Sequence, residues 1–238
     1  LQLGQAPQDQ YLAFSTQVGK NEFTYQSNNQ RILDREWYLS DFEYGWKISD
    51  DSYLIVDGHY ENQTLNEKAG VEYKLLQSRV GFSTLVSGTH KIKLLLGKFK
   101  TEDSLNDRQE SKLSWLLQDT WYLNDFSSLV LKSSRTSQVA NDLRAVSVDM
   151  ISHSLGINIA FNNNWQLLTE IQYLDRQYDS SSFVKDISKW TINTKLVWQV
   201  SELWRTEFGL NRLDQNDSLN EFDLDKHQAY IKLSRVIL

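Results

Sequence analysis

The chain contains no cysteine, only one proline and no long apolar segment. Without cysteine it has no disulfides, thiolate metal sites or cysteine nucleophiles. A single proline leaves no proline-rich linker, and no shift in composition marks a domain boundary. No run approaches the ~18 apolar residues of a membrane helix, so a helical membrane protein is excluded. The net charge of -6 argues against nucleic-acid binding, which needs a basic surface.

The main positive feature is a two-residue alternation of apolar and polar side chains that returns about a dozen times. Its cleanest copy spans 204–211 and carries Trp204, Thr206, Phe208 and Leu210 on one face and Arg205, Glu207, Gly209 and Asn211 on the other. Side chains on a β-strand point alternately to opposite sides, so each copy predicts a strand with one greasy and one polar face. Repeated around a closed sheet, this pattern is typical of a transmembrane β-barrel.

The alternation predicts twelve strands, an even number as in bacterial single-chain barrels. They span 10–20, 34–48, 52–61, 68–86, 90–101, 111–123, 126–135, 144–161, 165–178, 187–200, 203–213 and 227–238. The connections alternate in length. Short polar turns are expected at 49–51, 87–89, 124–125, 162–164 and 201–202, and longer loops at 21–33, 62–67, 102–110, 136–143, 179–186 and 214–226.

With this rhythm over its full length, the chain resembles Gram-negative outer-membrane β-barrel proteins as a class. The resemblance implies one closed antiparallel barrel of about twelve strands over 10–238, preceded by a short periplasmic lead-in at 1–9. It also implies short periplasmic turns, longer extracellular loops, contact with outer-membrane lipid and lipopolysaccharide, and a signal peptide already removed. No motif assigns the chain to a particular barrel family.

Aromatic residues make up 12% of the chain, and many lie near predicted strand ends. Amphipathic rings concentrate where a membrane meets water, so we expect two girdles. One group of aromatic residues lies near the predicted short turns, and a second group, near the long loops, includes Trp37, Tyr38 and Tyr178. The girdle residues are predicted to be Trp46, Trp165, Trp190, Trp198 and Trp204. The alternative is a soluble barrel or sandwich with its apolar face inside; the polar face, rich in charge but also in Gly and Ser, favours a wet lumen and the membrane barrel.

The phase of each strand predicts which charged residues line the lumen. Acidic residues gather on the second to fourth strands and basic residues dominate the tenth, so they would face each other across the interior. The predicted lumen and selectivity residues are Asp41, Glu43, Asp57, His59, Glu61, Glu170, Arg176, Lys189, Lys195, Arg205 and Glu207. The same alternation also places Lys47, Glu72, Lys74, Lys93 and Lys132 on the predicted lumen face. Two interpretations stay open: a transverse field that orients a solute, or an ion-pair network that fills a narrow barrel.

Three further patterns were weighed against ordinary barrel chemistry. Asp57, His59 and Glu61 share one face, which suits a metal or acid–base site, but lumen lining is favoured. His153 and Ser154 are adjacent and so point to opposite faces, which defeats a nucleophile–base pair. The segment 214–225 has oxygen ligands at alternate positions but Leu219 where a calcium loop needs Gly, so a solvated acidic loop is favoured. We therefore predict no catalytic residues, metal site or cofactor.

The predicted function is passive passage of small polar or charged solutes through a charge-lined outer-membrane channel. The alternative is a non-enzymatic accessory barrel that partners a protein of an envelope complex, in polysaccharide export, secretion or electron transfer. A lipid-modifying outer-membrane enzyme is third. A channel needs an unobstructed polar lumen, an accessory barrel a filled one, and an enzyme a clustered nucleophile and base.

Overall fold

The computed structural model describes residues 9–21, 35–65, 71–104, 108–139, 147–180, 183–201, 204–219 and 224–235. These ranges form twelve β-strands. They are β1 (Gln10–Asn21), β2 (Arg35–Ser49), β3 (Ser52–Leu65), β4 (Val71–Val86), β5 (His90–Asp103), β6 (Arg108–Asn124), β7 (Ser127–Val139), β8 (Ser147–Ala160), β9 (Trp165–Ser180), β10 (Phe183–Gln199), β11 (Trp204–Asp217) and β12 (Leu224–Arg235). No helix in the described ranges is long and apolar enough to cross a membrane.

Each strand pairs antiparallel with the next, so the sheet is a continuous meander in the order β1 to β12. The predicted number and order of strands are confirmed. The predicted lead-in at 1–9 lies outside the described residues apart from Asp9, whose carbonyl accepts a hydrogen bond from the Lys47 amide.

Several strands extend further toward the long-loop end than the apolar alternation predicts. The loop expected at 179–186 is the clearest case, because Ser180 pairs with Phe183 and the two strands continue on both sides. Likewise β11 continues to Asp217, into the loop expected at 214–226. Main-chain pairing needs no apolar face, so a ladder continues where the side chains have become polar. The loops predicted at 102–110, 179–186 and 214–226 were therefore too long.

The short connections at the opposite end are tight turns. Between β4 and β5, Ser87 and Gly88 have positive φ values of 57° and 68°, as the central residues of a type I′ hairpin require. Between β2 and β3, Lys47 Nζ lies 2.9 Å from Asp50 Oδ1, and this hydrogen bond lowers the pKa of the exposed Asp50 carboxyl. These turns close the hairpins at the places that the sequence predicts.

Strand register sorts the side chains into an inward and an outward face. The inward face holds the most buried residues, including Ile55, Leu75, Leu95 and Phe99. The outward face carries large exposed apolar side chains on nearly every strand, among them Leu12, Phe42, Leu76, Leu117, Ile157, Phe208 and Ile231. A greasy outer wall around a more polar interior is the arrangement that a membrane barrel requires.

The sheet bends sharply at the β4–β5 hairpin. A Cβ atom at Gly81 would overlap the main-chain carbonyl of Leu94, and one at Gly97 would overlap that of Ser78. Glycine is therefore needed at both positions, because the neighbouring backbone occupies the space of a side chain. The bend brings Cα atoms of β4 within 8 Å of Cα atoms of β7, although β5 and β6 lie between these two strands in the sheet order. At the other side of the molecule, β1 and β12 form the two sheet edges, with no ladder between them in the described residues.

The ladder between β6 and β7 is incomplete. The ladder runs from the short turn to the pair Trp115–Arg135. Beyond that pair, β6 is paired only with β5, and β7 only with β8. Side chains bridge the gap: Ser114 Oγ donates to the Arg135 carbonyl at 3.0 Å. Asp149 lies 2.9 Å from Arg135 and 3.2 Å from Lys112. Side chains thus hold the long-loop half of this wall together.

Candidate functional site

All eleven charged residues that we predicted in the lumen lie on the inward face. In each pair of strands, residues opposite each other in register share a face, and the inward face is the one that carries the buried Ile55 and Leu95. The residues are Asp41, Glu43, Asp57, His59, Glu61, Glu170, Arg176, Lys189, Lys195, Arg205 and Glu207. Their part in selectivity stays a prediction, because position alone does not show what passes.

The acidic residues of β2 and β3 are largely ion-paired. Arg79 donates to both carboxylate oxygens of Asp57, at 2.9 and 2.6 Å. Lys93 reaches Glu43 at 2.5 Å, and Tyr11 donates to the same carboxylate at 2.8 Å. Because β5 and β2 are not neighbours, the Lys93–Glu43 contact also shows that these side chains meet inside the barrel. The acidic cluster thus finds its cations on β4 and β5.

His59 lies between two carboxylates of the same cluster. Its Nδ1 is 2.7 Å from Asp41 Oδ1 and its Nε2 is 3.8 Å from Glu61 Oε2. Gln63 donates to Glu61 at 2.6 Å. The third member of the weighed metal pattern, Asp57, is held by Arg79, and no group of residues in the described ranges is arranged to hold a metal ion. The cluster is a cross-strand hydrogen-bond network on β2, β3 and β4.

The basic residues of β9 and β10 are arranged differently. Arg205 pairs with Glu207 along β11 at 2.9 Å. Among the described residues, no carboxylate lies within 4.0 Å of Arg176, Lys189 or Lys195. Lys195 and Glu170, on neighbouring strands, are therefore not ion-paired with each other. Among the described residues, the acidic side of the interior is therefore largely ion-paired, whereas the β9–β10 side carries unpaired charges with cations in excess.

Two cavities lie against these sets of residues. One, of about 670 Å³, lies between β1–β4 and β6–β7, and its lining includes Asp41, Glu43, Arg79 and Lys132. The second, of about 530 Å³, is lined by residues of β7 to β12, with Glu170, Asn193, Lys195 and Tyr230 among them. The interior thus has room for water or small solutes next to both charged sectors.

The predicted assignment of residues to the inward and outward faces was wrong for β4. Glu72 and Lys74, expected in the lumen, lie on the outward face of β4 and pair with each other at 2.7 Å near the long-loop end. The inward residues are Tyr73, Leu75, Gln77, Arg79 and Ser83. The prediction failed because this inward face carries apolar residues buried at the sharp bend, so apolar character no longer marks the outside.

Sequence reasoning also missed the charged cluster at the β6–β7 gap. Lys112 lies 3.3 Å from Glu110 as well as 3.2 Å from Asp149, and the Arg135 guanidinium lies 5.8 Å from the ring centroid of Trp115. Strand phase would have placed Lys112 on the inward face. Nothing in the sequence shows that the ladder stops at this level.

The five predicted girdle residues all lie on the outward face. Trp165 and Trp198 stack with ring centroids 5.2 Å apart near the short turns. The exposed fractions are 55% for Trp46, 51% for Trp190 and 39% for Trp204. Trp190, nearer the long loops, packs against Tyr173 at 4.9 Å. Their contact with a membrane stays a prediction.

Trp37, expected in the second aromatic group, lies instead on the inward face with its ring over Gly19. Tyr178 is also inward. His153 and Ser154 lie on opposite faces, His153 outward and Ser154 inward. Asp217, from the acidic segment weighed as a calcium loop, is a β11 residue that pairs with Lys185 at 2.6 Å.

No protein-family model and no curated protein matches the chain. Solved structures do resemble it. They include the copper transporter OprC, with 11% identity and a TM-score of 0.58 over 95% of this chain and 46% of that one. The ferric yersiniabactin uptake receptor FyuA from Yersinia pestis has 9% identity and a TM-score of 0.60, over 96% and 44%. The CymD monoaromatic hydrocarbon channel has 9% identity and a TM-score of 0.52, over 96% and 78%.

The chain spans less than half the length of the first two of these proteins. At such low identity the similarity concerns the fold alone. That fold is the β-barrel of Gram-negative outer-membrane proteins, and the predicted fold class is confirmed.

Proposed function

We propose that the protein lies in the bacterial outer membrane and forms a passive channel for small polar or charged solutes. The observation that carries this proposal is the second cavity, in which Glu170 and Lys195 line open space without pairing with each other. Glu170 is exposed and Lys195 is half-buried. Since neither has a charged partner among the described residues, water and passing solutes are the partners we assign to them.

The outward face supports the membrane location. Its exposed apolar side chains would be costly in water but suit a lipid surface. The outward tryptophans at the two ends suit the two membrane–water interfaces, where lipid and lipopolysaccharide headgroups begin. In this orientation the short turns face the periplasm and the longer connections face outward.

Single-channel recording in planar bilayers tests this proposal. Refolded wild-type protein should produce discrete conductance steps. Asn193→Trp places a large ring in the second cavity and should reduce the step size while the barrel still folds, as reported by heat-modifiable gel mobility. Ile192→Trp adds the same ring to the outward face one residue away and is the matched control, so it should leave the steps unchanged. Absence of steps from folded wild-type protein, or equal effects of the two variants, would contradict the channel.

The accessory barrel is the second candidate, and the ion-paired network favours it. The bonds from Arg79 to Asp57 and from Lys93 and Tyr11 to Glu43 join β1 to β5 across the interior, which stiffens this side and narrows it. A barrel that works by holding a partner in an envelope complex gains from such rigidity. A lipid-modifying activity is the weakest of the three, because His153 and Ser154 lie on opposite sides of the wall.

A further inference from the structure

Two cations of the interior lie together with no acidic partner among the residues that the structure describes. Arg176 on β9 pairs in register with Ile187, and Lys189 on β10 pairs with Leu174, so all four lie on the inward face. Arg176 and Lys189 are therefore diagonal neighbours across one strand junction, roughly 7–8 Å apart at the backbone.

This arrangement differs from that of several other cations of the interior. A carboxylate lies within 4.0 Å of Arg79, Lys93, Lys112, Lys185 and Arg205. None lies within that distance of Arg176 or Lys189 in the described part of the chain. Two like charges held side by side repel each other, and folding alone gives no reason to place them together.

The Arg176 guanidinium adds a second, independent observation. Its Nε atom is shielded from solvent and has no hydrogen-bond partner among the described residues. A shielded donor without an acceptor is costly, so such a group needs an explanation. A guanidinium fork beside an ammonium group is the combination that binds carboxylate or phosphate oxygens, because the fork donates two parallel hydrogen bonds and the ammonium adds charge.

Further unmatched charge continues along the same side of the interior. Lys195 follows Lys189 on the same strand and face, about 20 Å closer to the short turns at ~3.3 Å per residue. Lys226 and Lys232 occupy the inward face of β12, beyond β11. A positive track thus leads from the Arg176–Lys189 pair through the interior.

We propose that Arg176 and Lys189 form a binding site for an oxyanion, a carboxylate or phosphate group, carried by a small anionic solute. The assignment deepens the proposed channel function, on which it rests for the solute's passage, by naming the solute class. The solute's oxyanion supplies both the counter-charge that the pair lacks and the acceptor that Arg176 Nε lacks.

Equilibrium binding to the full-length, detergent-refolded protein tests the site. Inorganic phosphate and succinate are titrated while tryptophan fluorescence is followed, with chloride at equal ionic strength as the non-oxyanion reference. Wild-type protein should bind at least one of the two probes, and Arg176→Gln/Lys189→Gln should weaken that binding at least tenfold. The matched control Lys98→Gln/Lys100→Gln removes two positive charges from the outward face of β5 and should change binding less than twofold. Heat-modifiable mobility confirms that each variant is folded.

The outcomes separate this site from the channel itself. If chloride reproduces the signal, if neither probe binds, or if both double variants bind alike, the oxyanion site is refuted. A phosphate-only response identifies a phosphate group, and a succinate-only response a carboxylate. In bilayers, conductance steps without anion preference in the wild type would refute the anionic solute class and leave the channel standing. Site-dependent binding by a protein without conductance would refute the channel and leave the binding site standing.

Discussion

The buried ion pair between Lys185 and Asp217 offers a quantitative test of the interior near the long-loop end. The two groups lie 2.6 Å apart, and their side chains are 3% and 0% exposed. Asp217 Oδ1 also accepts a hydrogen bond from the Leu219 amide at 3.0 Å. Asp217→Asn keeps an acceptor for that amide but removes the carboxylate charge beside the buried Lys185 ammonium.

The expected cost is large because a buried ion pair is broken from one side. Breaking such a pair from one side destabilises a protein by about 3–5 kcal/mol. The exposed pair Arg212–Asp225, 4.0 Å apart with side chains 53% and 58% exposed, provides the control. Asp225→Asn should cost less than about 1 kcal/mol, since water already solvates both charges.

Urea unfolding in lipid vesicles, followed by tryptophan fluorescence, measures both free energies of unfolding. Lys185→Met/Asp217→Leu should recover most of the loss, because apolar replacement of a buried pair is often neutral or stabilising. A loss for Asp217→Asn no greater than that for Asp225→Asn would refute the reasoning. It would mean that water reaches Lys185, and that this end of the interior is wet.

Three further outcomes are expected. Thr194→Arg, on the outward face midway between Trp190 and Trp198, should destabilise the barrel in vesicles by about 2–4 kcal/mol, whereas Asn193→Arg on the inward face should be tolerated; the opposite order in urea unfolding would mean that the inward face meets lipid. An impermeant thiol reagent on intact cells should label Ser104→Cys at the long-loop end and not Asn163→Cys in a short turn; the reverse pattern would invert the proposed orientation. Glu43→Gln should lower the conductance steps little but the stability by about 1–3 kcal/mol; a large change in conductance at unchanged stability would assign Glu43 to the solute path and not to the ion-pair network.

Local alternation predicted most of the fold. In a strand such as β11, eight residues are enough to show which face is apolar and which is polar. Twelve such segments joined by turns then favour a sheet in which each strand pairs with the next. Alternation failed where both faces of a strand carry apolar side chains. On β4 the inward Tyr73 and Leu75 are as apolar as the outward residues, so pattern alone assigned Glu72 and Lys74 to the wrong side.

The site was predictable only as a set of positions. Strand phase identifies Glu43 and Lys93 as inward residues, but their contact joins positions 50 residues apart and depends on how tightly the sheet bends. The bend in turn depends on close backbone approaches at Gly81 and Gly97 that no periodicity reveals. For the same reason, sequence reasoning named Arg176 and Lys189 without showing that they lack acidic partners.

The incomplete β6–β7 ladder determines which part of the barrel wall opens first. Main-chain amides of residues 108–114 that point toward β7 have no ladder acceptor there, so only side chains shield them from water. Regions with few protected main-chain hydrogen bonds open at lower free energy than the rest of a fold. Hydrogen–deuterium exchange should therefore begin at this seam, while the fully paired β9–β10 hairpin exchanges last. High salt should hasten exchange at the seam selectively, because the bonds of Asp149 to Lys112 and Arg135 are electrostatic.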